Sequence, residues 1–160
     1  MFGQHMEKEF SSEDWVLAFI RNGPEQDGES MIKGWLMFTK QFFVFVKEVR
    51  KDLDADFKFV PYDYGPYSFV LDDTVKNLQK QGYIHVVVNG DRKDFILTRK
   101  GCDRANEVLK KIPEKTRKTL SGLRRDATQL GYSGILRYVY SRYPEFTTAS
   151  KIKGRVMGES

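Results

Sequence analysis

The stretch Pro61–Gly101, PYDYGPYSFVLDDTVKNLQKQGYIHVVVNGDRKDFILTRKG, decides how this chain folds. Pro66 suits the first turn of a helix, where its missing N–H would be unpaired in any case. Leu71, Val75 and Leu78 then recur at helical spacing, and Gly82 lets the chain turn out of the helix. Ile84, Val86 and Val88 alternate with His85 and Val87, as a strand with one buried face does. Asn89-Gly90 favours a tight hairpin turn, Phe95 and Leu97 continue the alternation on the return strand, and Thr98 can cap the next helix. A helix, a hairpin and a helix in this order predict a mostly helical α+β winged helix-turn-helix domain. Its two-stranded wing has its tip at Asn89–Lys93, and additional helices stand at both ends of the chain.

Working outward, Ser11 or Ser12 can cap a first helix that turns Trp15, Phe19 and Ile20 inward. Asn22-Gly23-Pro24 stops it, and Pro24 to Glu29 reads as a polar loop. Ser30 to Val49 is strongly apolar, at the length of a buried helix broken near Gly34. Lys51 to Asp56 is a charged turn and Phe57 to Val60 a short strand. After the wing come helices over Arg99–Ile112, Glu114–Leu130 and Ser133–Tyr143. The expected organisation is a flexible segment 1–10, a single domain 11–147 with a C-terminal helical extension, and a basic tail 148–160 that frays.

Composition narrows the function classes. With 12 Phe, 8 Tyr and 2 Trp in 160 residues, the chain has the apolar content of one packed domain. No run reaches the roughly 18 apolar residues of a membrane span, and Met1 to Phe10 has no signal-peptide core. Cys102 is the single cysteine, which excludes an internal disulfide and fits a reducing cytoplasm. Its spacing to Ala105 and Leu109 makes it a core thiol.

Catalysis has little support. His5 and His85 are far apart, and the chain carries no nucleophile elbow, phosphate loop or dinucleotide fingerprint. Asp52-x-Asp54-x-Asp56 resembles the opening of a calcium loop, but Phe57 stands where that loop needs glycine and Asp63 where it needs glutamate. No enzyme, cofactor or metal is therefore expected.

Charge is uneven along the chain. Residues 1–98 hold 12 Lys and Arg against 16 Asp and Glu, a net of −4; residues 99–160 hold 15 against 6, a net of +9. Such asymmetry suits an anionic partner. For double-stranded DNA, Ser68, Phe69, Lys76, Asn77 and Lys80 would present from the helix after Pro66, while Arg92, Lys93, Arg99 and Lys100 would grip phosphate. The same helix is net neutral, because Asp72 and Asp73 oppose Lys76 and Lys80. Carboxylates in its first half suit only a cytosine amino group.

Tyr62-x-Tyr64-Gly65-Pro66-Tyr67-Ser68, followed by Leu78 and Gly82-Tyr83-Ile84, resembles the Panacea-type (SocA-like) antitoxin domains and their uncharacterised prokaryotic relatives. That family's I-x-G-x-x-x-L-x-K pattern would fall on Ile32, Gly34, Phe38 and Lys40, with Phe38 in place of the leucine. Leu136-Arg137-Tyr138-Val139-Tyr140 and Tyr143-Pro144-Glu145-Phe146-Thr147 are similar to the C-terminal part of some relatives. The wing ending Ile96–Gly101 is also similar to those of PadR-like and MarR-like repressors. The resemblance implies neutralisation of a protein such as a toxin, with Tyr62, Tyr64 and Tyr67 as partner-binding aromatics or, turned inward, as packing for the loop. Two readings follow: a DNA-binding transcriptional regulator, expected to dimerise through 114–143, and an antitoxin-like or adaptor module that binds a protein through the YGPYS loop and its helix.

Overall fold

The computed structural model describes residues 10–26 and 28–158, so His5 and the segment before Phe10 lie outside the described residues. Helix α1 (Ser12–Arg21) starts at Ser11, whose hydroxyl accepts from the Asp14 amide while the Asp14 carboxylate accepts from the Ser11 amide. The reciprocal cap satisfies two amides that the first turn leaves open. Every side chain from Trp15 to Ile20 is buried, so α1 is surrounded on all sides.

The segment read as a polar loop and a long helix is instead a hairpin and a helix. Strands β1 (Glu25–Gln26) and β2 (Glu29–Lys33) pair antiparallel, Gly34 turns at φ 89°, and α2 (Trp35–Glu48) follows. A short buried apolar run has no period that separates strand from helix. Pairing with a strand some sixty residues away decides the matter, setting Ile32 opposite Phe95. After a 3₁₀ turn (Lys51–Leu53) and the short α3 (Asp54–Phe57), strands β3 (Val60–Tyr62) and β4 (Gly65–Tyr67) form a small hairpin of their own.

Pro66 therefore does not open the next helix; it sits in β4 opposite Pro61. Neither proline has an N–H to donate, and a two-stranded ribbon tolerates that where a central strand would not. Helix α4 (Phe69–Lys80) begins instead at Ser68, whose hydroxyl accepts from the Leu71 amide. The hairpin β5 (Ile84–Asn89) and β6 (Arg92–Leu97) forms as expected, turning at Gly90. The inward face predicted for Ile84, Val86 and Val88 holds only at its base, because Val88 at the tip is exposed. The four-stranded antiparallel sheet runs in the order β1-β2-β6-β5.

Helix α5 (Arg99–Lys111) is capped by Thr98, as its sequence predicts. The next two expected helices both form, one on each side of Gly131, whose φ 73° and ψ −177° are non-helical; the span Glu114–Arg142 is labelled α6 as a whole. A 3₁₀ turn (Pro144–Phe146) and the short α7 (Lys153–Val156) complete the chain. The tail does not fray over its described part: Ile152, Val156 and Met157 pack on the core, and the Lys151 amide donates to Asp63 O at 2.8 Å. The molecule is thus an α+β protein in which a small antiparallel sheet joins a helical body. Among the described residues no helix is long and apolar enough to cross a membrane.

Candidate functional site

The Tyr-rich segment is a hairpin held from behind. Lys40, within the aromatic run of α2, is 1% exposed and donates to Pro66 O at 2.9 Å. Burial pushes its ammonium down to about 7. Gly65 has φ 95°, and a Cβ there would lie 2.8 Å from the Tyr140 ring, so glycine lets α6 close on the turn. The Tyr140 hydroxyl meets Ser150 Oγ at 2.7 Å, and the Lys151 ammonium pairs with Asp63 at 3.2 Å. Ser68 donates to Phe57 O while capping α4.

The front of the hairpin is aromatic. Tyr62, Tyr64 and Phe69 are 42%, 41% and 52% exposed. The rings of Tyr62, Tyr67 and Phe69 touch one another, with centroids 5.2, 5.3 and 5.0 Å apart. Tyr67 is half-buried and accepts from Trp35 Nε1 at 3.3 Å. Inward packing, one of the two expectations for these tyrosines, therefore applies only in part to Tyr67. Rings that already contact each other lose little side-chain freedom when a partner covers them.

The residues expected to touch DNA fare unevenly. Ser68 is fully buried and cannot present from the helix. Lys76 pairs with Asp72 at 3.3 Å along α4, while Asn77 and Lys80 are exposed. Arg92 lies at the wing tip but forks onto Asp94 at 2.7 and 2.9 Å. Burial pushes the Asp94 carboxyl up, but hydrogen bonds from Arg92 and Asn89 outweigh it and hold the group below the usual range. Lys93 and Arg99 are exposed. Lys100 is drawn to the end of α4, donating to Gln81 O at 2.8 Å and lying 4.5 Å from the Tyr83 ring centre. A cation there complements the carbonyl end of α4 rather than building an anion site on α5.

Beside this hairpin a cleft of about 800 Å³ lies between the start of α2, the side of α4 and the β5–β6 hairpin, with α6 also contributing. Trp35, Val75 and Val86 supply apolar wall. Gln41 and Arg124 also line it, and both are among the most buried polar side chains, 1% and 0% exposed. Arg124 donates to Phe19 O, Met31 O and Gln41 Oε1 at 3.1, 3.2 and 3.0 Å. All three acceptors are neutral, and burial pushes its guanidinium down to about 10.

Sequence reasoning did not single out Gln41; Arg124 entered only among the cations of the helix after Pro113, as a phosphate contact, and Tyr140 only within a segment of the resemblance. Lys40 entered only as one position of the resemblance pattern. One signal was available: a lysine and a glutamine inside an otherwise aromatic run, Phe38-Thr39-Lys40-Gln41-Phe42-Phe43, must be buried if the helix is. A buried polar group then needs a partner. The carboxylates of the calcium-loop look-alike separate, Asp52 onto Arg50 and Asp54 onto Lys47 at 2.9 Å. Among the described residues no cluster of His, Cys, Asp or Glu has the geometry to hold a metal. Comparison with family models, with curated proteins and with solved structures found no match for this chain.

Proposed function

We propose that this protein is a non-catalytic protein-binding module, antitoxin-like or adaptor-like, whose contact surface is the Tyr62–Phe69 aromatic face. The observation that carries this reading is the contrast between the two sides of one hairpin. Lys40 and Tyr140 fix its back, while Tyr62, Tyr64 and Phe69 stand out from its front. Rigid, amphipathic aromatic side chains on an immobile element are the usual anchors of protein interfaces. The similarity of the YGPYS segment to Panacea-type antitoxin domains points the same way.

The test is affinity purification of the tagged full chain with Tyr62→Ser/Phe69→Ser and Lys93→Glu/Arg99→Glu variants alongside. A stoichiometric partner should be retained by the wild type and the charge variant. The aromatic variant should lose it by about thirtyfold or more in affinity, as removal of a hot spot worth at least 2 kcal/mol requires. Retention of the partner by the aromatic variant would sink the reading.

A second reading, a winged-helix DNA-binding regulator, is favoured by one observation. The order β2-β6-β5, with α4 immediately before the β5–β6 hairpin and with Lys80, Lys93 and Arg99 exposed, supports this reading. In that reading α4 enters the major groove, Phe69 and Asn77 face it, and two subunits pair through 114–143, where Leu130 and Tyr132 are exposed. Retention on random duplex DNA that weakens steeply with salt and collapses in Lys93→Glu/Arg99→Glu is its signature.

A further inference from the structure

The cleft beside α4 carries an inference that goes beyond partner binding. Gln41 is almost wholly buried, yet only half of its amide is used. Its Oε1 accepts from Arg124, which fixes the orientation of the amide, and its Nε2 makes no hydrogen bond among the described residues. The Nε2 is not among the buried polar atoms left without a partner, so it opens onto the cleft, where an acceptor can reach it.

The charge of the cleft points to what that acceptor is. Arg124 brings a full positive charge to the wall with only neutral oxygens around it. Five cations and two carboxylates line the space. Asp72 is set against Lys76, and Arg92 is held by Asp94 from outside the cleft. That leaves Asp91 as the one remaining lining carboxylate, facing a wall that still carries Lys93 and Arg124. Walls of low dielectric concentrate such a field inside the cleft. Trp35, Val75 and Val86 offer an apolar surface of the kind that encloses a small organic body, and the volume is that of a ligand pocket.

We propose that the cleft between α2, α4 and the β5–β6 hairpin is the binding site of a small organic anion with an apolar or aromatic body. Gln41 Nε2 donates to an anionic oxygen, and Arg124 acts through Gln41 by holding its amide in place and supplying the field. The apolar body lies on Trp35, Val75 and Val86. Because α4 follows directly from the Tyr62–Tyr67 hairpin, an occupant wedged against it is placed to alter the aromatic face.

The test uses two dyes of similar apolar size, anionic 1-anilinonaphthalene-8-sulfonate and neutral N-phenyl-1-naphthylamine, followed by fluorescence. Naphthalene-2-carboxylate serves as a non-fluorescent competitor. The anionic dye should bind at a single site, be displaced by the carboxylate, and bind about tenfold or more tightly than the neutral dye. Titration of the full chain with the carboxylate should move the Gln41 side-chain NH₂ signals in a nitrogen–proton correlation spectrum.

Gln41→Glu places a carboxylate where the anion would sit and gives Arg124 a counter-charge. It should stay folded, with an unchanged or raised melting temperature, and weaken the anionic dye about tenfold or more. Should that variant fail to fold, Val86→Trp, which fills the cleft from a half-exposed strand position, should abolish binding of both dyes. Equal affinity for the two dyes, or undiminished binding of the anionic dye by a folded Gln41→Glu or Val86→Trp, would overturn the proposal.

Discussion

Lys40 shows how a single side chain can set a condition on the whole site. Its ammonium, with a pKa of about 7 in the folded protein against 10.5 in a solvated lysine, loses its proton far more readily when buried. Between those two values the unfolded chain holds a proton that the folded one does not, so stability rises with pH across that window. Below about pH 7 this contribution is gone. Denaturation midpoints at pH 6.5, 8 and 9.5 should therefore climb in the wild type relative to Lys40→Met. The variant should also be less stable by about 1–3 kcal/mol at the upper end, because Pro66 O loses its donor. A parallel pH profile in the two proteins would show that the folded lysine keeps an ordinary pKa.

At the scale of the element, α6 illustrates how one residue divides a long span into two helices. Gly131 combines φ 73° with ψ −177°, a backbone region open almost only to glycine. On one side of it Arg124 and Ala127 face the core, and on the other Ile135, Leu136 and Val139 do. The kink is what lets both apolar faces reach the same body. Gly131→Ala should cost about 1–3 kcal/mol in urea denaturation, although no side chain occupies the space its Cβ would take. A neutral effect would mean that α6 can straighten at no cost. The two helices read from the sequence were thus correct in content. They are separated at Gly131, where the backbone leaves the helical region for a single residue.

At the scale of the whole molecule, Arg124 ties four elements together: α6, on which it stands, α1 through Phe19 O, β2 through Met31 O and α2 through Gln41. Gly23 is part of the same tie, since a Cβ there would run into the Arg124 guanidinium. Arg124→Met should lower stability by about 3 kcal/mol, because three buried acceptors lose their donor at once. The denaturant slope should stay constant, since the loss is of contacts and not of compactness. A loss under 1 kcal/mol would indicate that the carbonyls find other donors.

Local chemistry was enough to determine several features of this protein. The β5–β6 hairpin follows from Asn89-Gly90 between alternating runs, α5 from Thr98, and α1 from Ser11 and Asp14. Each of these depends on neighbours in sequence, so the pattern carries the answer. Tertiary structure alone decided that Ser30–Lys33 is a strand, that Pro66 lies in a hairpin and that Ser68 is buried. It also decided that Arg92 forks onto Asp94 and that Arg124 borders a cleft with Gln41. In most of these the partner comes from a distant or separately folded element, or the answer turns on burial that only packing sets. No local propensity reports which side of a hairpin will be closed by a helix some seventy residues further on.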